Sequence, residues 1–224
     1  MRHAFAGPLL FIYELDDGLL ADQYVSTVSR WSDDIWELTA ETAGRGPSRL
    51  YWRFEILPGE WSTDERWLPL LNLAKRLVNS FSTVSMRGRP LKSTSLPATV
   101  TALRALMQFM AATGRSKFSQ LTSSACDLYL DHAAATRRDE KGFLDASFSI
   151  RVDILCRIYE QGPLFRRHPE AVLPEAPFGG RTAYAVVKSL NVSVDPVSYL
   201  RCPTTCSLPR PPRRLIGLLT RPTT

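Results

Sequence analysis

Acidic residues are missing from one long stretch of this chain. Between Glu65 and Asp127 there are none, although 22 acids in 224 residues would place about six there. The same stretch carries nine basic residues: Arg66, Lys75, Arg76, Arg87, Arg89, Lys92, Arg104, Arg115 and Lys117. Removing one sign of charge does little for folding, but it sets up a positive field that attracts a polyanion. Cysteine is scarce as well. The four present, Cys126, Cys156, Cys202 and Cys206, are too few and too scattered for a disulfide framework. Cys202 and Cys206 have no neighbouring ligand to complete a zinc site, so neither metal nor cofactor is expected. The apolar run from Pro8 to Tyr13 is too short to span a membrane and lacks a signal-peptide cleavage region. The expectation is a cytoplasmic protein without a membrane partner. Gly-rich phosphate loops and zincin motifs are absent, and no small-molecule substrate is expected.

The net charge of +6 is unevenly spread. Residues 1–61 hold 5 basic and 10 acidic residues, 62–168 hold 16 and 9, and 169–224 hold 7 and 3. Three regions follow. Residues 1–61 form an irregular N-terminal extension, with its tryptophans pinned to the next domain and an extended segment from Arg49 to Leu57, where apolar and polar residues roughly alternate. Residues 62–169 read as a helical domain. Residues 170–224 read as a linker, one short helix near Arg181–Leu190, and a disordered Pro- and Thr-rich tail.

Within 62–169 the spacing predicts four amphipathic helices packed as a bundle. The first begins near Ser62, where Ser62-Thr63-Asp64-Glu65 fits a capping box, and carries Leu70, Leu73, Ala74, Leu77 and Phe81. A basic connector, Ser85 to Thr94, follows. Ser95 is placed to cap the second helix, with Pro97 in its first turn and Gly114 as its stop. The third runs from Ser123 to Thr136, with Leu128 and Tyr129 facing the core. The fourth runs from Ala146 to Gln161, with Phe148, Val152, Leu155 and Tyr159 on one stripe.

Arg87, Arg89 and Lys92 on the connector suit phosphate contact, helped by free N–H groups near Ser95; a solvated loop is the competing reading. Thr101, Arg104 and Gln108 share a helix face, and Arg and Gln are side chains that bond base edges in a major groove. A solvated helix face explains the same three residues. Arg115 and Lys117 are further candidates for the DNA backbone.

The ordered set of segments resembles the N-terminal core-binding (SAM-like) domain of tyrosine recombinases, the phage-integrase family. It is carried by Arg89-Pro90-Leu91-Lys92-Ser93-Thr94-Ser95 leading into Val100 to Met110, by Gly114 to Thr122 followed by Asp127 to Leu130, and by Ser149 to Leu155 running on to Ile158, Tyr159, His168 and Pro169. The resemblance implies a mainly α four-helix bundle that grips double-stranded DNA, a link to DNA integration and recombination, and other recombinase protomers as partners. It also adds Arg151 to the DNA-binding set. The catalytic residues of the family have no counterpart here: His3, His132 and His168 are followed three places on by Ala6, Ala135 and Ala171, so there is no His-x-x-Arg box. The expectation is a protein that is not an enzyme by itself, truncated or frameshifted before a catalytic domain. DNA sequence beyond the codons of Tyr199 to Pro211 tests the frameshift, which fails if no other frame encodes a recombinase catalytic segment. The competing readings are a helical protein–protein interaction module and a non-functional recombinase fragment.

Overall fold

The structure, a computed structural model, describes residues 12–39, 46–84, 86, 89–135 and 146–192. It is mainly α. Among the described residues six α-helices run over Asp17–Leu20 (α1), Leu68–Thr83 (α2), Leu96–Ala112 (α3), Ser123–Ala135 (α4), Ala146–Glu160 (α5) and Ala183–Val192 (α6). Four short strands precede α2: Ile35–Leu38 (β1), Ser48–Tyr51 (β2), Glu55–Leu57 (β3) and Glu60–Trp61 (β4). β1 pairs antiparallel with β2, setting Ile35 opposite Tyr51 and Leu38 opposite Ser48, and β3 pairs antiparallel with β4. The predicted extended segment is therefore two strands joined through Trp52-Arg53-Phe54. Alternation persists across the join: Leu50, Trp52 and Ile56 are buried, while Arg49, Tyr51, Arg53 and Glu55 are exposed.

The extension is part of the core. Trp31, Trp36, Leu50, Trp52 and Ile56 belong to the same buried cluster as Leu77 and Phe81 of α2, Leu103, Leu106, Met107 and Met110 of α3, and Val152, Leu155 and Ile158 of α5. Trp36 packs between Trp31 and Trp52, with ring centroids 5.3 and 4.9 Å away. Withdrawing each such side chain from water is worth about 1.5–3 kcal/mol, so the described part of the extension and the helices stabilise one another.

Helix ends follow local chemistry. The capping box expected at Ser62 is not formed, and α2 starts six residues later. Ser62 Oγ instead donates to the Trp52 carbonyl at 2.6 Å and accepts from the Phe54 N–H, while Asp64 accepts from the Trp61 N–H at 2.7 Å. These bonds lock the strand segment before the helix begins. α3 stops as predicted. Gly114 sits at φ +73°, its N–H donates to Ala111, and the Arg115 N–H reaches back to the Met110 carbonyl at 2.7 Å. In the turn that follows, Phe118 and Leu121 are fully buried, and Thr122 Oγ1 accepts from the Ala125 N–H at the start of α4.

Two expected core positions are exposed. On α4 the buried set is Ala125, Cys126, Tyr129, Leu130 and Ala133, which turns Leu128 outward. On α5 the buried face ends on Ile158, so Tyr159 points to solvent. The predicted tail falls outside the described residues.

Candidate nucleic-acid interface

The eight described cations of the acid-free stretch divide sharply by environment. Lys75 and Arg76, adjacent on α2, are almost wholly buried. The Lys75 ammonium donates to the carbonyls of Trp31 at 2.7 Å and Asp33 at 3.1 Å. It lies 5.5 and 5.8 Å from the ring centroids of Trp36 and Trp52. Burial pushes its pKa down to about 8, although Asp34 and Asp33 pull the other way. The Arg76 guanidinium donates to the Tyr13 carbonyl at 2.8 Å and pairs with Asp17 at 2.7 Å. Arg66 pairs with Glu60 and lies over the Trp67 ring. Arg66, Lys75 and Arg76 are thus engaged by the acidic N-terminal segment of the same chain.

The face of α3 expected to meet a major groove is also engaged. Arg104 donates through one terminal nitrogen to the Tyr51 carbonyl and lies over the Phe54 ring, 5.2 Å from its centroid. Burial lowers its pKa. Gln108 donates to the Glu55 carbonyl at 2.9 Å. The physical reason is plain: β2 and β3 leave outward backbone carbonyls that need donors, and α3 passes alongside with Arg and Gln at the right height. Thr101 is exposed, its hydroxyl turned back to the Pro97 carbonyl at 2.9 Å. Ser95 does not cap α3 with its side chain. Its backbone is already helical (φ −91°, ψ −22°), whereas a capping residue needs an extended one. Its N–H is taken by the Lys92 carbonyl.

The remaining candidates stand at the two ends of α3 and beside it. Arg89 and Lys92 are exposed on the connector, which is held by the Leu91 N–H donating to the Phe81 carbonyl at 2.7 Å. Arg115 is half-buried and Lys117 exposed after the glycine stop, where Gln120 Oε1 accepts from the N–H groups of Ser116 and Lys117 and fixes the turn. Arg87 lies outside the described residues. Arg151, half-buried on α5, joins Thr101 at a small hollow between α3 and α5 and joins Gln108 and His132 along a wider groove of about 550 Å³. Arg89, Lys92, Arg115, Lys117 and Arg151 form no ion pair among the described residues. Arg157, in contrast, pairs with Asp153 one turn earlier on the same helix.

Sequence reasoning missed the exposed outer face of the strand segment. The alternation from Arg49 to Glu55 was the available signal. Among the described residues no cluster of three or more His, Cys, Asp or Glu side chains could hold a metal. Nor is any described helix long and apolar enough to cross a membrane. No protein-family model, curated protein or solved structure matches the chain.

Proposed function

We propose that the chain binds double-stranded DNA through phosphate contacts from Arg89 and Lys92 at one end of α3, Arg115 and Lys117 at the other, and Arg151 between them. The observation that carries this reading is the residue left after the internal pairs are accounted for. Arg89, Lys92, Arg115 and Lys117 of the acid-free stretch, and Arg151 of α5, stay at least partly open to solvent with no carboxylate bound to them among the described residues. α3 spans 17 residues, about 25 Å at 1.5 Å per residue, a separation suited to phosphates on neighbouring turns of one duplex face. The resemblance to the integrase core-binding domain, a four-helix SAM-like bundle, supports the same reading and ties it to DNA recombination. Such a domain supplies grip and no strand cleavage, with protomers of the same kind as companions.

Arg104 and Gln108 take a different role in this proposal: they hold the strand segment against α3. The full chain is the right object to test, because Tyr13, Leu20, Trp31, Trp36, Leu50, Trp52 and Ile56 share the core. Duplex binding followed by fluorescence anisotropy should weaken steeply with salt, the log–log slope falling by about 0.9 for each phosphate engaged. A salt-independent or absent interaction rejects the proposal.

A second reading, a protein–protein interaction module, draws on Leu128, Tyr159 and Tyr184, which are 58%, 40% and 76% exposed. It predicts self-association without salt-sensitive DNA binding.

A further inference from the structure

The outer face of the strand segment carries an arrangement that the duplex reading does not use. Arg49, Tyr51 and Arg53 point outward at alternate positions while Leu50 and Trp52 point into the core. β4 brings Trp61 alongside, registered opposite Glu55. The Arg53 guanidinium lies over the Trp61 ring, 5.0 Å from its centroid. Tyr51 is 48% exposed and Trp61 41% exposed. The other four tryptophans, Trp31, Trp36, Trp52 and Trp67, are no more than 3% exposed, so the chain buries this residue type wherever packing is the purpose.

The carboxylates of the face are already committed. Glu37 holds Arg49 at 2.9 Å, Glu55 accepts from the Gly59 N–H at 2.8 Å, and Glu60 accepts from the Trp67 indole at 2.6 Å and pairs with Arg66. Arg53 has no carboxylate partner among the described residues. The result is two accessible rings with an unpaired guanidinium at one of them, on strands held rigidly by Ser62, Arg104 and Gln108.

We infer that this face is a stacking platform for single-stranded nucleic acid, taking bases on Tyr51 and Trp61 and a phosphate on Arg53. The occupant follows from chemistry. Aromatic rings bind the flat faces of bases, and a guanidinium adds cation–π attraction and a phosphate contact. Within a duplex those base faces are covered by their neighbours, so only a single strand offers them. The platform is separate from the cations around α3 and stands whether or not they bind duplex.

The test is a tryptophan-fluorescence titration of the full chain with a short oligothymidylate. Trp61 is the indole a ligand in solution reaches, so stacking should quench emission in a saturable way. Trp61→Phe should abolish the signal, since its ring lacks the indole. By anisotropy with a labelled oligomer, the Tyr51→Ala/Trp61→Ala double variant should bind at least tenfold more weakly. Arg53→Ala, which leaves both rings in place, should weaken it further at low salt than at high salt. Arg89→Ala/Lys92→Ala should leave quenching intact, which separates this platform from the duplex site. Absence of quenching, or equal affinity in the double variant with an unchanged melting temperature, overturns the inference and leaves the exposed rings to a protein partner.

Discussion

Lys75 on α2 donates its ammonium to the carbonyl of Trp31, 2.7 Å away and 44 residues earlier in the chain. That bond turns a residue of the most basic stretch inward, onto the backbone of the most acidic one. The positive field read from the sequence is therefore partly internal scaffolding, and only the cations that remain outside face a ligand.

Lys75 should make stability rise with alkaline pH. Its pKa is pushed from 10.5 to about 8 by burial. Between those values the unfolded chain holds a proton that the folded chain has released, so stability increases across pH 8 to 10.5, by up to about 3 kcal/mol. Below pH 8 both states are protonated and the gain is absent. Urea melts of the wild type and Lys75→Met at pH 7.5 and pH 10 isolate the effect. A difference that does not change with pH refutes it.

Arg76 should be among the least replaceable residues. Arg76→Ala removes the donor to the buried Tyr13 carbonyl and the partner of Asp17, costing on the order of 2–4 kcal/mol. Asp17→Asn should cost less, because Asp17 is 67% exposed and water takes over its carboxylate. Denaturant midpoints rank the two. Equal midpoints would place the value of the pair in its charge rather than in the burial of Arg76.

Gly114→Ala should destabilise by about 1 kcal/mol, since φ +73° is a left-handed conformation that a Cβ disfavours. No heavy atom lies within 4 Å of the site where that Cβ would stand, so strain rather than a clash is responsible. The cost should appear as a lower melting temperature without loss of nucleic-acid affinity.

Cys126 should be inert in the folded chain. Burial, with smaller contributions from nearby carboxylates, pushes its thiol up to about 12. Iodoacetamide labelling followed by peptide mapping should modify Cys126 only after denaturant is added. Rapid labelling at neutral pH in native buffer would contradict its placement.

The helices α2 to α5 were legible because each carries an apolar stripe, and α3 adds a chemical stop at Gly114, whereas the short α1 was not foreseen. The alternating strand segment was legible too, though not the break at Trp52-Arg53-Phe54, which depends on Ser62 bonding back across ten residues. Leu128 was misplaced because the buried positions 125, 126, 129, 130 and 133 share one helix face and Leu128 falls on the other side. Arg104 and Gln108 were read as facing either a groove or solvent because their partners lie 53 residues earlier, and local spacing carries no information about such bonds. Ser62 and Asp64 had the right chemistry for a cap, but the strand backbone claimed it first. Distant backbone acceptors placed Ser62, Arg104 and Gln108, whereas local backbone geometry placed Ser95 and Asp64.

The most direct test of the account sets two groups of cations against each other on the full chain. Duplex affinity is measured at low and moderate salt for the wild type, for Arg89→Ala/Lys92→Ala/Arg115→Ala/Lys117→Ala, and for Arg104→Ala/Gln108→Ala, with melting temperatures alongside. The account predicts that the first variant loses at least tenfold in affinity, has a shallower salt slope and keeps its melting temperature. The second should lose about 1–3 kcal/mol of stability through the freed carbonyls and bind normally while folded. Duplex affinity that survives loss of the four exposed cations, or that falls with Arg104 and Gln108 at unchanged stability, contradicts it.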